Sequence, residues 1–270
     1  MSDERRGPPK RGWRKRARPS TRRPTGRATG RPTGRPLVVV FAKAPEPGRV
    51  KTRLTPVLRA GEAADLARAL LLDTLDIVDS IGADVVVAFA PATGRRSFER
   101  LLGRRRRLIA QGPGDLGSRL AGVTGQLLAV GKGPVIAVGS DCPALTAEVL
   151  RRAAAGLARA DVVLGPALDG GYYLVALKAP HPEIFQGIPW GTAQVMAATR
   201  ERIEAARLAA AILEPARDLD TPEDLFEWYA GGQAENLRER FPRTWRILHA
   251  ALPPRRFSAL EAVVRGERLA

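Results

Sequence analysis

Apolar and polar positions alternate along this chain in two distinct rhythms. Unbroken apolar, β-branched runs occur at Leu37-Val-Val-Val-Phe-Ala42 and Asp84-Val-Val-Val-Ala-Phe-Ala90. Shorter ones follow at 106–110, Pro134-Val-Ile-Ala-Val138, Asp161-Val-Val-Leu164, Tyr172-Tyr-Leu-Val-Ala-Leu177 and 210–213. Runs of this kind mark strands buried on both faces. Between them the apolar positions take helical spacing, as at Leu66, Leu70, Leu71, Leu75 and Val78 within 61–80. Gly82 stops that helix. Further helices are predicted at 95–102, 115–130, from Thr146 onward, over 192–207 and from Thr221-Pro222, with packing helices over 237–252. Thr146 and Thr221 are N-cap residues by type and position. The alternation predicts an α/β fold: a mainly parallel sheet covered on both faces, a three-layer α/β/α sandwich. Ligands in such sheets bind beyond the carboxyl ends of the strands. The loops after Ala42, Ala110, Val138, Leu164 and Leu213 are therefore the places to look for chemistry.

Composition narrows the chemistry. Of 270 residues, 44% are hydrophobic, enough for a full core. A single cysteine, Cys142, excludes an internal disulfide and a Cys-rich zinc site. The two histidines, His181 and His249, form no metal-spaced pair, so any metal should have oxygen ligands, which suits Mg²⁺ or Mn²⁺. The net charge of +16 suggests a nucleic-acid binder until its distribution is read. Residues 1–36 hold 13 Lys and Arg against 2 Asp and Glu, so +11 lies there and +5 remains for 37–270. This segment repeats Arg23-Pro-Thr-Gly-Arg27 as Arg31-Pro-Thr-Gly-Arg35, and its Pro, Gly and low apolar content predict a disordered basic tail. Weak attachment to nucleic acid through phosphates is its functional alternative. The expectation is one catalytic domain over 37–270 behind the tail. No run spans a membrane, and a cytoplasmic location is expected.

Five loops carry candidate chemistry. The first, Lys43-Ala-Pro-Glu-Pro-Gly-Arg-Val-Lys-Thr-Arg53, places Lys43, Arg49, Lys51 and Arg53 around a turn at Gly48. Cations and free N–H groups in a stiffened loop suit a polyphosphate; a solvated basic loop is the plainer reading. The second, Gln111-Gly-Pro-Gly-Asp-Leu-Gly117, satisfies G-x-G-x-x-G but follows the third strand, so it is a tight turn rather than a dinucleotide fingerprint. It brings Asp115 and Arg119 forward as nucleotide contacts. The third, Gly139-Ser-Asp-Cys-Pro143, sets Asp141 directly after a strand, as a metal ligand or as a helix cap. In the fourth, Pro166-Ala-Leu-Asp-Gly-Gly171, Asp169 is a candidate for acceptor, metal or sugar, with Gly170 and Gly171 allowing close approach; a plain turn competes. In Asp218-Leu-Asp220-Thr-Pro-Glu-Asp224, Asp220 either completes a metal site with Asp141 or caps the next helix. Trp190 is a flat acceptor wall or a core anchor.

Six segments in this order resemble the DUF2064 glycosyltransferases, also described as radical-SAM/selenodomain-associated or arsenosugar-biosynthesis glycosyltransferases. They are Phe41–Leu54, Gly114–Arg119, Gly139–Pro143, Gly165–Tyr173, Ile188–Trp190 and Asp218–Leu225, spanning about 37–230. The resemblance implies a GT-A-like, nucleotide-diphospho-sugar transferase fold. More distantly it is similar to guanylyltransferases acting on 2-phospholactate and to molybdenum-cofactor nucleotidyltransferases. It implies that Lys51 and Arg53 contact nucleotide phosphates and that Asp141 is the metal ligand at a D-x-D-like position. The local second carboxylate is absent, so Asp169 or Asp220 must complete the set.

The leading expectation is a glycosyltransferase that binds a nucleotide sugar through Lys51, Arg53 and a metal on Asp141, with Asp169 positioning or deprotonating a small-molecule acceptor. The alternative is a nucleotidyltransferase that takes an NTP and a phosphorylated small acid and releases pyrophosphate. A non-catalytic module tethered to nucleic acid is the third.

Overall fold

A computed structural model describes residues 34–131 and 133–266. The expected tail lies outside them, apart from its last residues.

Strands form at the seven apolar runs. They are β1 (Leu37–Lys43), β2 (Asp84–Ala90), β3 (Arg107–Ala110), β4 (Val135–Gly139), β5 (Val162–Pro166), β6 (Tyr172–Leu177) and β7 (Ala210–Ile212). They make one sheet in the order β3-β2-β1-β4-β6-β5-β7. The helices between them are α1 (Ala60–Ser80), α2 (Arg95–Leu102), α3 (Leu116–Val130), α4 (Ala147–Gly156) and α5 (Val195–Ala205). After β7 come α6 (Pro222–Tyr229), α7 (Ala234–Arg240), α8 (Pro242–Ala251) and α9 (Pro254–Val264).

Strand alternation divides the core. From β1, Val38, Val40 and Ala42 join one layer with Leu71, Leu75 and Val78 of α1, Phe98 of α2 and Leu150 of α4. Leu37 and Val39 join the other, with Leu120, Val123 and Leu127 of α3 and Ile203 of α5. Because successive side chains point to opposite faces, an all-apolar strand is the sequence image of a sheet covered twice. The three-layer α/β/α expectation stands. A third cluster joins Leu66 and Leu70 of α1 to Trp228, Leu237, Phe241, Leu248 and Leu260, so α6–α9 cover the outer side of α1.

The sheet is parallel except at β6, which runs antiparallel to both β4 and β5. The cause is the length of the β5–β6 connection, Ala167–Gly171. A parallel return needs a crossover of about a dozen residues or more, so so short a link can only turn back as a hairpin. The fourth candidate loop is therefore a hairpin turn.

Caps resolve two open readings. The Thr146 hydroxyl accepts from Val149 N–H at 3.1 Å and so caps α4. Thr221 and Asp224 form a reciprocal capping box at the start of α6. Neither Asp141 nor Asp220 is needed as a cap.

Candidate active site

A cleft of about 550 Å³ opens over the carboxyl ends of β1, β3 and β4 and reaches Asp220. Lys43, Arg49, Lys51, Arg53, Gln111, Arg119, Asp141 and Tyr172 line it.

The first loop leaves β1 with Ala44 N–H on Ala90 O at 2.7 Å and turns at Gly48, where φ is +74°. Lys51 then adopts φ 49°, ψ 36°, a left-handed conformation that costs a non-glycine residue about 1 kcal/mol. A 3-10 turn over Thr52–Leu54 follows, anchored by the fully buried Leu54. This bend sends Lys51 inward: its side chain is 6% exposed. Its Nζ donates to Leu219 O at 2.7 Å, to Asp220 Oδ1 at 3.2 Å and to Asp141 Oδ2 at 3.4 Å. Burial works against its charge, but Asp141, Asp220 and Asp218 outweigh burial and leave its pKa raised. Its ammonium thus draws the two carboxylates together, and Lys51 also lines the cleft in which the sequence predicts its phosphate contact. Lys43, Arg49, Arg53 and Arg119 line the cleft beside it. Arg53 also meets Asp220 at 3.5 Å while its side chain stays 65% exposed.

Asp141 and Asp220 arrive from different directions. Asp141 follows β4, and Gly139 leaves room for it: a Cβ there would stand 2.7 Å from Asp141 Oδ1. Asp220 follows β7, and Leu219 N–H donates to Asp141 O at 2.9 Å, locking the two segments together. Their side chains are 44% and 40% exposed, so both keep oxygens facing the cleft. Both are hard oxygen donors drawn to one ammonium. Among the described residues, no group of three or more His, Cys, Asp or Glu is arranged to hold a metal. Two carboxylates with the remaining positions left to phosphate oxygens and water fit Mg²⁺ rather than an all-protein cage.

Beneath them lies Asp218, which sequence reasoning did not single out. Its Oδ1 is buried without a hydrogen-bond partner. Burial, then the charge of Asp141, pushes its carboxyl up to about 8. The only signal in the sequence was the Asp218-x-Asp220 spacing. Cys142, beside it, is buried and its thiol is pushed well up by burial, which is the state of a packing residue rather than of a nucleophile.

Other candidates take different places. Asp115 caps α3, accepting from Ser118 N–H at 2.8 Å, and is not among the lining residues. Asp169 accepts from Gly171 N–H through Oδ1 at 2.8 Å within its own hairpin turn, and its charge also acts on Asp218 beside the carboxylate pair. Gly170 has φ +89°, and a Cβ on it would lie 2.2 Å from Ala193 O, so it lets two backbones meet rather than admitting an acceptor. Gly171 shares that turn, and Gly48 serves the turn of the first loop. Trp190 stands behind the cleft, edge-on to Tyr172 at 6.0 Å. It also packs on α3, where a Cβ at Gly117 would stand 2.7 Å from its Nε1.

The fold and cleft define a nucleotide-diphospho-sugar transferase-like protein. The structure superposes with a TM-score of 0.75 on a Desulfovibrio desulfuricans G20 protein provisionally described as a nucleotide-diphospho-sugar transferase, at 31% identity, covering 87% of this chain and 99% of that one. Residues 74–192 match the family described as "Uncharacterized protein conserved in bacteria (DUF2064)". The chain is 33% identical over 184 residues to the 3-phospho-D-glycerate guanylyltransferase of Phenylobacterium zucineum (strain HLK1), spanning 66% of this chain and 83% of that protein. It is 38% identical over 146 residues to a 2-phospho-L-lactate guanylyltransferase of Halomicrobium mukohataei, spanning 54% and 62%. The chain belongs to the DUF2064 family. Among the described residues no helix is long and apolar enough to cross a membrane.

Proposed function

We propose that this transferase moves a nucleotidyl group from an NTP, GTP by likeness to its relatives, onto the phosphate of a small phosphorylated acid and releases pyrophosphate. An acceptor phosphate oxygen attacks the α-phosphorus, the α–β bridging P–O bond breaks, and pyrophosphate leaves with the bonding electrons.

The observation that carries this reading is the make-up of the cleft. Its charged and phenolic lining consists of Lys43, Arg49, Lys51, Arg53, Arg119, Asp141, Asp220, Tyr172 and Tyr173. Both carboxylates are tied to Lys51, and burial raises both phenols above their usual range. Burial keeps both phenols protonated near neutral pH, so neither takes a proton from an acceptor there. A phosphate acceptor is already ionised there and needs no base; a hydroxyl acceptor does. The proposed work of the residues is positional and electrostatic. Lys43, Arg49, Arg53 and Arg119 hold the triphosphate and the departing pyrophosphate, the arginines through paired N–H donors. Lys51 fixes the spacing of Asp141 and Asp220. A divalent ion such as Mg²⁺ or Mn²⁺ on these two carboxylates supplies neutralisation of phosphate charge when bound.

This reverses the order of the sequence-based expectations. The glycosyl-transfer reading keeps one support, the Desulfovibrio structure's description, and Asp169, its expected base, is engaged in a turn.

The test is product release. Protein with GTP, Mg²⁺ and 3-phospho-D-glycerate or 2-phospho-L-lactate should release pyrophosphate. Release of a free nucleoside diphosphate from an NDP-sugar, with none of pyrophosphate from any NTP, sinks the proposal in favour of glycosyl transfer.

A further inference from the structure

Gln111 is a buried, uncharged polar side chain that lines the cleft. It follows β3, and its backbone N–H donates to Phe89 O at 3.0 Å, so the sheet fixes its position. Its side-chain Nε2 donates to Ala88 O at 2.9 Å and to Ala42 O at 3.4 Å. Both partners are backbone carbonyls and can only accept. The amide therefore has one allowed orientation, with NH₂ toward the strands and Oε1 away from them. No described donor meets Oε1, and it is not among the fully enclosed unpartnered atoms, so it stays open to the cleft. Close by in the chain, Leu116 lines the same cleft with 45% of its surface exposed, one of the few large apolar side chains left open to solvent.

The sheet order places this pair. β3, β2 and β1 are successive neighbours, and β4 follows β1 on the other side. Gln111 sits over the β3–β2–β1 end, the phosphate-binding cations rise from the loop after β1, and Asp141 follows β4. A nucleotide with phosphates on the first loop and its reacting end toward Asp141 must extend its base toward Gln111 and Leu116.

We infer that Gln111 and Leu116 form the nucleobase subsite and that the fixed Gln111 carbonyl selects guanine. The inference rests on the nucleotide-binding reading of the cleft. Leu116 gives the ring an apolar seat. Gln111 Oε1 can only accept, and guanine offers it two adjacent donors, N1–H and the 2-amino group. Adenine and cytosine set an acceptor ring nitrogen beside their one amino donor, and uracil flanks N3–H with two carbonyls. Each opposes a carbonyl oxygen with a lone pair, and mispaired polar groups in a partly dry site cost affinity steeply.

The experiment is calorimetric binding of GTP, ITP, ATP, CTP and UTP with Mg²⁺ to the full chain. ITP is GTP without the 2-amino group. GTP should bind about tenfold tighter than ITP, the value of one such hydrogen bond, and tighter still than the other three. Gln111→Met should bring GTP and ITP to the same affinity. Should that variant not fold, the analogue series on the unaltered protein still decides. Equal affinity for GTP and ITP, or a preference for another base, overturns the inference and leaves nucleotidyl transfer standing. Failure of every NTP to bind overturns both.

Discussion

Asp73 and Asp141 are both aspartates met by a cation from far along the chain, and they are built for opposite ends. Asp73, on α1, is fully buried and its oxygens are taken up. They accept from Thr244 N–H and Thr244 Oγ1, each at 2.9 Å, and from Arg243 Nη1 at 3.0 Å. This pins the start of α8 onto α1. Asp141 is nearly half exposed and holds Lys51 by one contact of 3.4 Å, with Asp220 similarly placed and Asp218 beneath carrying an unpartnered oxygen. A carboxylate saturated with short bonds has spent its charge on the fold. One held loosely at a cleft wall keeps charge for a ligand. Stability and activity should therefore separate between the two clusters.

The largest effect should come from Asp141→Asn. Transfer should fall on the order of a thousandfold, the scale of losing several kcal/mol of transition-state charge stabilisation, while the thermal melt stays near that of the unaltered protein. A large drop in melting temperature would break the contrast, making Asp141 another structural aspartate. Asp73→Asn should do the reverse. It loses about 2–3 kcal/mol in urea unfolding, since a buried acceptor of charged and neutral donors is replaced while Arg243 keeps some solvent. The turnover number of the folded fraction should be unchanged, and a loss there would show the clusters to be coupled.

A smaller effect concerns Glu62, which ties α1 to α9. Its carboxyl is held down to about 2 by the Arg256 hydrogen bonds, with burial opposing and Arg59 adding to the pull. A folded pKa below the unfolded value of 4.5 means the tie is complete above that pH and is lost as pH falls from there toward 2. Melting temperature measured across that window should slope downward, and Glu62→Gln should flatten the slope. A slope unchanged by the variant would place the acid sensitivity elsewhere. The smallest effect is expected at Asp115. Asp115→Ala removes a cap on α3 and should lower stability slightly while leaving GTP affinity unaltered. A clear loss of affinity would restore it as a nucleotide contact.

Much of the architecture was legible because it rests on local rules. The β-branched runs at 37–42 and 84–90 could be nothing but doubly covered strands. Thr146 and Thr221 capped where their residue type said they would, and the cleft opened where the strands end. The antiparallel turn of β6 was not read, since an apolar strand has the same composition in either direction and only its link length differs. Lys51 looked like its neighbours Arg49 and Arg53; nothing in a basic loop announces which cation turns inward. Asp169 and Asp220 looked equivalent; Asp220 lines the cleft, while Asp169 stands in the hairpin turn with its charge acting on Asp218. Asp218 and Gln111 were passed over because their character comes from burial.

The sequence by itself determined the strands, the helices, their caps and the loops at which a phosphate-bearing ligand would be met, because periodicity and capping act over a few residues. Only the tertiary structure decided which charges were spent. It drew Lys51, Asp141 and Asp220 together across 169 positions of chain, and it turned the Gln111 amide against two strands. Electrostatic and hydrogen-bond free energies depend on distance and solvent access, and neither is written in the order of residues.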